Sequence, residues 1–394
     1  MISRTELNER VHEWAMREDV IEKDYIIGWL LWGIGSNLRL SASWVFKGGT
    51  CLKKCYLETY RFSEDLDFTV LPGGPVKPGE VEPLLQEIFG RIYECSGINF
   101  REKPPFIRMR PDGRSAEGRV YYRGPRNAPD FARIKIDLTT AEQVIRPTVP
   151  RQISHPYPDQ FPVPSTVSCY SFEELLAEKL RAMGERSRPR DLYDIVNLFR
   201  RKEIHPQARL IHSVYIQKCK SKSVEVFTFN SLEISRHRGE LEAEWANMLG
   251  HQLPVLPPFE DFWQELPSLF GWLDGKFTPA GLESIPFADD EDKEWSPPPT
   301  ICTWGRKVPL ETVRFAAANH LCVELDHEGS KYLMEPYCLR LTKEGHFVLY
   351  ATDNTTGELR IYRTDRLQGI QITHTTFKPR HAIELISTGP LIAT

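Results

Sequence analysis

The chain has 394 residues, of which 41% are hydrophobic, and its 50 basic and 54 acidic side chains nearly balance. This length suits two or three domains, and the balanced charge argues against a protein that binds polyanions with its whole surface. No uncharged apolar run reaches about 18 residues, and the N-terminus lacks a signal-peptide pattern, so we expect a cytoplasmic protein without a membrane span.

The eight cysteines are scattered along the chain without a Cys-x-x-Cys pair. This usage suggests neither a zinc site nor a disulfide framework. Cys51 and Cys55 lie one helical turn apart, and we assign them to core packing.

Helices are predicted at the start of the chain, where apolar residues recur at helical spacing from Thr5 to Ile34. An apolar run from Trp44 to Phe46 then enters a Gly48-Gly49 turn, and Thr50 begins a helical segment. Without side chains, the two glycines let a phosphate approach the backbone, and the amides of a helix N-terminus point at it. Taken alone, the turn also fits an ordinary strand-to-helix connection.

From Asp65 to Val70 polar and apolar residues alternate, which predicts a half-buried strand with Asp65 and Asp67 on one face. Residues two apart on one face are separated by roughly 7 Å, so these carboxylates can hold divalent metal between them. Two Mg²⁺ ions would suit an in-line phosphoryl transfer. A solvated edge strand is the alternative for the pair taken alone.

A loop rich in Pro and Gly (72–80) and a helix from Glu82 to Cys95 are predicted next, followed by a basic stretch (101–126). The basic stretch interleaves cations with aromatic residues: Arg101, Lys103, Arg108, Arg110, Arg114, Arg119, Arg123 and Arg126, with Phe106, Tyr121 and Tyr122. Such a mixture suits RNA phosphates and stacked bases. A solvated hairpin explains it as well.

Alternation returns from Phe131 to Thr139, which predicts another strand. Lys135, Asp137 and Thr139 share one of its faces, and Asp137 is the acidic residue of this strand. Taken alone, it fits a surface aspartate near a strand end.

Two helices are predicted after this strand. Ser171 and Glu174 are predicted to form a capping box, in which the Glu174 side chain accepts the backbone N–H of Ser171. The helix that follows carries Lys179 on its edge and ends at Gly184. Pro189 begins the next helix, on which Asp191 and Asp194 share a face. A salt-bridged helix pair is the plain interpretation of these two aspartates.

The pattern stays helical from Phe199 to about Gly275, with a basic run from Lys218 to Lys222 that we assign to a solvated loop or a nucleic-acid contact. The acidic segment Asp289 to Asp292 and the prolines 297–299 are too charged and too Pro-rich to pack, so a linker is expected there. Beyond it, short alternating runs and turn signals predict β-structure.

Two blocks a dozen residues apart resemble the AbiEii/AbiGii toxin family of nucleotidyltransferases, members of the polymerase-β-like superfamily. They are Lys47-Gly48-Gly49-Thr50-Cys51-Leu52-Lys53 and Ser63-Glu64-Asp65-Leu66-Asp67. Ile21-Glu22-Lys23-Asp24-Tyr25 is similar to an N-terminal segment of that family, which packs against the sheet. Glu173 to Leu180 and Arg190 to Asp194 resemble its fourth block.

This resemblance implies a transferase that uses Mg²⁺ or Mn²⁺ to move a nucleoside monophosphate from an NTP to an acceptor. The implied metal ligands are Asp65, Asp67 and Asp137. The implied nucleotide contacts are Lys47, Gly48, Gly49, Thr50, Ser63, Lys179 and Asp191. Asp194, with Asp191 as second choice, would be an acid/base or positioning group. The implied acceptor is a tRNA 3′ end or a protein, the implied role is growth arrest or phage defence, and a cognate antitoxin is a possible partner.

A second resemblance, to the WYL domain, covers Met334 to Leu339, Phe347 to Ala351 and Gly357 to Leu367. WYL domains are small SH3-like β-barrels of ligand sensors. Phe347 and Val348 replace the signature Trp-Tyr, and Tyr332 stands where the family usually has Arg. The resemblance implies a ligand or phosphate contact for Arg360, Arg363 and Arg366. Surface arginines that pair with Asp365 and Glu358 are the alternative.

We therefore expect an α+β chain with a polymerase-β-like core (1–200), a helical bundle (201–286), a linker (287–300) and a WYL-like β-barrel (301–394). The leading function is a nucleotidyltransferase toxin of the type IV toxin–antitoxin kind with a built-in sensor. The alternative is a ligand or nucleic-acid sensor with an inactive transferase scaffold. The full set of transferase motifs argues against that alternative.

Overall fold

The computed structural model describes residues 1–57, 60–234, 237–297 and 308–385. Its first sheet has seven strands: β1 (Trp44–Lys47), β2 (Asp65–Val70), β3 (Phe106–Met109), β4 (Ser115–Tyr122), β5 (Ala132–Thr139), β6 (Val149–Gln152) and β7 (Thr166–Cys169). Their spatial order is β3-β4-β5-β2-β1-β7-β6, with β2 parallel to β5 and β1 parallel to β7. The strands predicted over 65–70 and 131–139 are confirmed.

Helices cover this sheet and continue the chain beyond it. They are α1 (Arg4–Trp14), α2 (Glu18–Ser36), α3 (Leu38–Ser43), α4 (Gly48–Cys51), α5 (Pro78–Ser96), α6 (Phe172–Arg186), α7 (Pro189–Phe199), α8 (Ala208–Lys222), α9 (Phe229–Ile234), α10 (His237–Leu249), α11 (Phe259–Trp263), α12 (Leu266–Leu273) and α13 (Leu310–Ala318). A π-helical turn (Leu52–Tyr56) extends α4, and a 3₁₀-helix (Lys202–Gln207) precedes α8. None of the helices that the structure describes is long and apolar enough to cross a lipid bilayer.

Helix α2 is buried over nearly its whole length and packs on β7 and α5. Its buried polar residues have hydrogen-bond partners: the Asp24 carboxylate lies 2.7 Å from Lys54 Nζ, and Glu22 accepts the Arg126 amide at 2.7 Å. Burial alone would raise the pKa of Asp24, but Lys54 and Lys53 outweigh it and lower the pKa. The N-terminal block therefore packs against the sheet, as the resemblance implied.

The capping box predicted at the start of α6 is only half made. Ser171 Oγ accepts the Glu174 amide at 3.3 Å, but the Glu174 carboxylate does not return the bond. It is fully buried and accepts the amides of Ile145 and Arg146, each at 2.8 Å, because this loop packs against the helix.

Two further helical predictions need correction. Helix α6 does not end at Gly184 but continues to Arg186, and Ser187 ends it in a left-handed conformation. The basic run from Lys218 to Lys222 is not a loop, since it forms the last turns of α8. Lys218 is buried there, with Nζ 2.7 Å from Glu174 Oε1.

The second sheet is antiparallel and has five strands: β8 (Leu321–His327), β9 (Ser330–Leu341), β10 (Phe347–Asp353), β11 (Leu359–Arg363) and β12 (Leu367–Thr376). Their order is β11-β10-β9-β8-β12. The predicted β-region is thus present, while its barrel form and WYL identity stay predictions. Helix α13, which no sequence signal indicated, packs between this sheet and α1.

The acidic segment expected to remain unpacked is in fact bound to the second sheet. Glu291 is 2% exposed and accepts the Tyr350 hydroxyl at 2.6 Å, and the Asp292 amide donates to the Leu341 carbonyl at 2.9 Å. The prediction was wrong here because Arg340, 3.6 Å from Glu291, supplies a buried counter-charge. Residues 298–300 lie outside the described residues, and the domain boundaries stay predictions.

Candidate active site

Three neighbouring strands place Lys47 and two of the predicted acidic residues, Asp67 and Asp137, in one row. Lys47 on β1 is paired with Asp67 on β2, and Asp67 is paired in turn with Asp137 on β5. Residues in register on adjacent strands project on the same face. Asp65 lies two residues before Asp67 on that face, opposite Lys135. The sheet therefore brings together all three carboxylates proposed as metal ligands.

The Gly-Gly turn lies directly against this row. Gly48 has φ +82°, which favours glycine, and a Cβ atom at this position would lie 2.5 Å from Asp67 Oδ2. Gly49 in turn faces the Arg61 guanidinium. The backbone proposed to hold phosphate and the carboxylates proposed to hold metal are therefore adjacent.

The positive charge around the carboxylates of β2 does not fully offset the effect of their burial. Burial raises the pKa of Asp67; Lys47 opposes this, and the like charges of Asp137 and Asp65 add to it. Burial also raises the pKa of Asp65, with Lys135 opposing and Asp137 adding. A cation bound beside these residues would therefore relieve electrostatic repulsion that the protein itself leaves in place.

Asp137 differs from Asp65 and Asp67 in its partners: its carboxylate accepts hydrogen bonds from Arg110 and Lys135. In the described part of the chain, the oxygen atoms of these three carboxylates do not all lie within 4.8 Å of one another. The donor set of three carboxylates nevertheless fits a hard cation such as Mg²⁺. Arg110 and Lys135 supply positive charge at the place where such an ion would meet Asp137.

Thr50 and Ser63 join the turn to β2. Thr50 is 1% exposed, and its hydroxyl lies against the Asp65 carbonyl oxygen and 2.9 Å from Ser63 Oγ. The Thr50 side chain thus fixes the start of the carboxylate strand. Ser63 is half-buried beside it, and the nucleotide contacts of both residues stay predictions.

A buried ion cluster lies behind Gly49, formed by Arg61, Lys179, Asp191 and Asp194, and the exposed Arg186 joins it from outside. Lys179 Nζ is 2.6 Å from Asp194 and 3.4 Å from Asp191, and Arg61 binds Asp194 through two nitrogens at 2.7 and 2.8 Å. Arg186 binds Asp191 at 2.8 Å. Lys179 is therefore buried within the fold.

Both aspartates of this cluster are 0% exposed. Burial alone would raise the pKa of Asp194, but Arg61 and Lys179 outweigh it and lower the pKa. A carboxyl with a lowered pKa and no access to solvent is a poor proton carrier. Of the two roles predicted for Asp194, positioning suits this geometry better, and both roles stay predictions.

Three charged residues around the site were not among the predicted site residues, namely Arg61, Glu142 and Glu178. Lys47 pairs with Glu142, and Arg61 holds the ion cluster. Burial alone would raise the pKa of Glu178, but Lys47 and Lys218 lower it. Glu178 stands inside the block that resembles the family and could have been found there, whereas Glu142 is brought in by a loop without a sequence signal.

Cys169 joins Cys51 and Cys55 behind the Gly-Gly turn. All three are buried, and their sulfur atoms lie within 4.8 Å of one another. The sequence did not indicate this group because Cys169 comes from β7, far along the chain. Thiolates are the ligands that soft metal ions prefer, and these three lie together in a place where the sequence predicted core packing alone.

Two of the three arginines predicted to bind a ligand in the second sheet are paired with neighbouring acids. Arg360 lies 3.0 Å from Glu358, and Arg363 lies 2.6 Å from Asp365. This is the arrangement that the alternative interpretation expected. The ligand role of Arg360, Arg363 and Arg366 stays a prediction.

A family model described as the nucleotidyl transferase AbiEii toxin of type IV toxin–antitoxin systems matches residues 29–265. The chain belongs to the AbiEii family. It is therefore a nucleotidyltransferase that uses an NTP, of a family of toxins with cognate antitoxins. The matched residues include the Gly-Gly turn, the three carboxylates and the buried ion cluster. No curated protein matches the chain.

Proposed function

We propose that this AbiEii-family chain transfers a nucleoside monophosphate from an NTP to an RNA acceptor, with Asp65, Asp67 and Asp137 as ligands of Mg²⁺ or Mn²⁺. The row of Lys47, Asp67 and Asp137 beside Gly48 is the observation that carries this proposal. It supports phosphate and metal sites in contact with each other, which is what nucleotidyl transfer needs.

Each part of the site has a role in this proposal. Bound Mg²⁺ would neutralise negative charge on the transferred phosphate. The amides after Gly48 and Gly49 hold the triphosphate, and the Ser63 hydroxyl donates to it. The buried ion cluster supports the back of this turn, since Arg61 lies against Gly49. Lys179 acts from within that cluster, as a cation near Asp67.

The acceptor is proposed to lie along β4 and β5. A cavity of about 290 Å³ beside Asp65 is lined by Lys23, Glu64, Asp65, Arg119, Arg133 and Lys135. Arg119 stands directly opposite Lys135, an arrangement of like charges that destabilises a sheet. In the part of the chain that the structure describes, no carboxylate pairs with Arg119 or Arg133, so an RNA phosphate is well suited to balance them.

The acceptor, the biological role and the sensor are proposed by extension of the family resemblance. We propose that the acceptor is a tRNA 3′ end, that the reaction arrests growth or serves phage defence, and that the second sheet forms a WYL-like sensor. The acceptor proposal draws support from the exposed cations Arg119 and Arg133. The sensor proposal draws support from the contact of α13 with both the second sheet and α1.

The direct test is to incubate the protein with each labelled NTP, Mg²⁺ and total RNA or protein extract. We expect label in RNA, and we expect Asp67→Asn to lower the rate about a thousandfold, since metal ligation is lost. Asp19→Asn, at an exposed pair with Arg17, is the control and should keep full activity. Full activity in Asp67→Asn would disprove the metal assignment, and label in protein alone would disprove the RNA acceptor.

The acceptor surface has its own test. Arg119→Ser combined with Arg133→Ser should raise KM for RNA about tenfold at moderate salt and leave KM for the NTP unchanged, because only phosphate contacts are lost. Arg108→Ser is the matched control, since Arg108 already pairs with Glu117 at 2.5 Å. Equal effects of the two changes would contradict the proposed RNA path.

A further inference from the structure

A large cavity lies away from the proposed active site, where the transferase helices meet the C-terminal part of the chain. Its volume is about 660 Å³, which suits a small molecule. One wall comes from α7, the 3₁₀-helix (Lys202–Gln207) and α12, and the other from residues 378–384. None of the carboxylates proposed to bind metal lines it.

The cavity has an excess of positive charge. Its lining carries four Lys or Arg and three Glu residues, namely Arg200, Arg201, Lys202 and Lys378 with Glu203, Glu265 and Glu384. Each glutamate already has a partner: Glu203 pairs with Arg201, Glu265 with Arg200, and Glu384 with Arg340. Lys202 and Lys378 are left without a carboxylate among the residues described.

Arg200 adds a donor within the wall. Its Nε and Nη2 bind Glu265 at 2.9 and 2.6 Å, and its guanidinium lies over the Phe262 ring. Its Nη1 is buried and finds no acceptor in the described part of the chain. A buried donor without an acceptor is unfavourable, and an anionic ligand atom would satisfy it.

Apolar surface lines the rest of the cavity. Phe277 is 45% exposed and Leu282 is 48% exposed, although both are large hydrophobic side chains. Leu57 and Ile383 line the same space. Apolar area left open beside unbalanced cations is typical of a site for a molecule with an apolar body and an acidic group.

We propose that this cavity binds a small organic acid with an apolar, ring-like body. Its acidic group contacts Lys202, Lys378 and Arg200, and its body covers Phe277 and Leu282. Because Lys202 and Lys378 come from opposite walls, the ligand joins the transferase helices to the C-terminal part. Tyr60 also lines the cavity and donates to Asp194, so the site borders the buried ion cluster.

The test uses two fluorescent probes on the full chain. 8-Anilinonaphthalene-1-sulfonate has an apolar ring body and a negative charge, and N-phenyl-1-naphthylamine has the same body without the charge. We expect saturable binding of the charged probe at one site per chain, tighter than that of the neutral probe. Lys202→Glu combined with Lys378→Glu should weaken the charged probe about tenfold and the neutral probe less than about twofold.

Two further variants locate the site. Ser268→Trp should weaken both probes, because Ser268 lines the cavity from the exposed face of α12 and the indole would fill the space. Lys293→Glu combined with Lys331→Glu is the matched control and should change neither probe, since both lysines are exposed and neither lines the cavity. Thermal unfolding checks that each variant is folded. No saturable binding, binding that survives all cavity variants, or loss only in the Lys293 and Lys331 control would overturn the proposal.

Discussion

Two closely spaced aspartate pairs in this molecule have opposite surroundings. Asp65 and Asp67 on β2 are half-buried, and burial and neighbouring carboxylates raise the pKa of both. Asp191 and Asp194 on α7 are fully buried, yet Arg61 and Lys179 outweigh the effect of burial and lower the pKa of Asp194.

The difference shows that closely spaced carboxylates occur in two electrostatic settings, one in which cations outweigh the effect of burial and one in which they do not. The helix pair has its counter-charges inside the fold, as a structural element needs. The strand pair is short of positive charge, which a bound metal ion can supply. Removal of one charge is therefore expected to change the free energy of unfolding differently in the two pairs.

The largest expected effect is at the helix pair. Asp194→Asn should lower the free energy of unfolding by about 3–5 kcal/mol, because Arg61 and Lys179 would be left buried without their shared counter-charge. Urea unfolding measures this. Asp19→Asn is the comparison, since its exposed pair with Arg17 at 2.6 Å contributes about 1 kcal/mol or less. A loss at Asp194 as small as that would mean that the cluster is not structural.

The sequence predicted the strand pair better than the helix pair, for a physical reason. Alternation over 65–70 and over 131–139 indicates which residues share a face, and parallel pairing then aligns Asp67 with Asp137. Arg61 reaches Asp194 only through the tertiary fold, from a distant part of the sequence. Periodicity carries no information about such contacts.

The same limit explains the errors in the C-terminal part. Charge and proline content predicted an unpacked segment around Glu291, but Arg340 and Tyr350 of the second sheet bury it. Helix α13 was missed because its packing partners, the second sheet and α1, come from distant parts of the chain. Local composition predicts packing well only where the partners are also local.

The next largest effect is expected at Gly48, the residue of the Gly-Gly turn that lies against Asp67 of the strand pair. Gly48→Ala should lower the transfer rate about a hundredfold, since its Cβ would displace the Asp67 carboxylate from 2.5 Å away. Gly73 is a matched control: it has the same φ of +82°, but a Cβ there meets nothing within 4 Å. Gly73→Ala should therefore show only the backbone strain, about 1 kcal/mol of stability, and keep its activity. Equal activity losses in both variants would contradict the close approach of Gly48 to Asp67.

The smallest expected effect is a gain in stability that we expect at the strand pair alone. Asp67→Asn should raise the free energy of unfolding of the metal-free protein, by on the order of 1 kcal/mol at neutral pH, although it removes activity. The sign follows from the raised pKa of Asp67. As the pH rises above the ordinary value of 3.8, the unfolded chain loses its proton first, so ionisation disfavours the folded state.

For Asp194 the sign is reversed. Its lowered pKa contributes stability that is complete above 3.8 and is lost as the pH falls through the native pKa. Unfolding of the two Asn variants in EDTA across a pH series should therefore give differences from the wild type of opposite sign. Added Mg²⁺ should stabilise the wild type and have less effect on Asp67→Asn, since one metal ligand is gone. If Asp67→Asn is less stable than the wild type in EDTA, Lys47 already neutralises Asp67, and the strand pair is not short of positive charge.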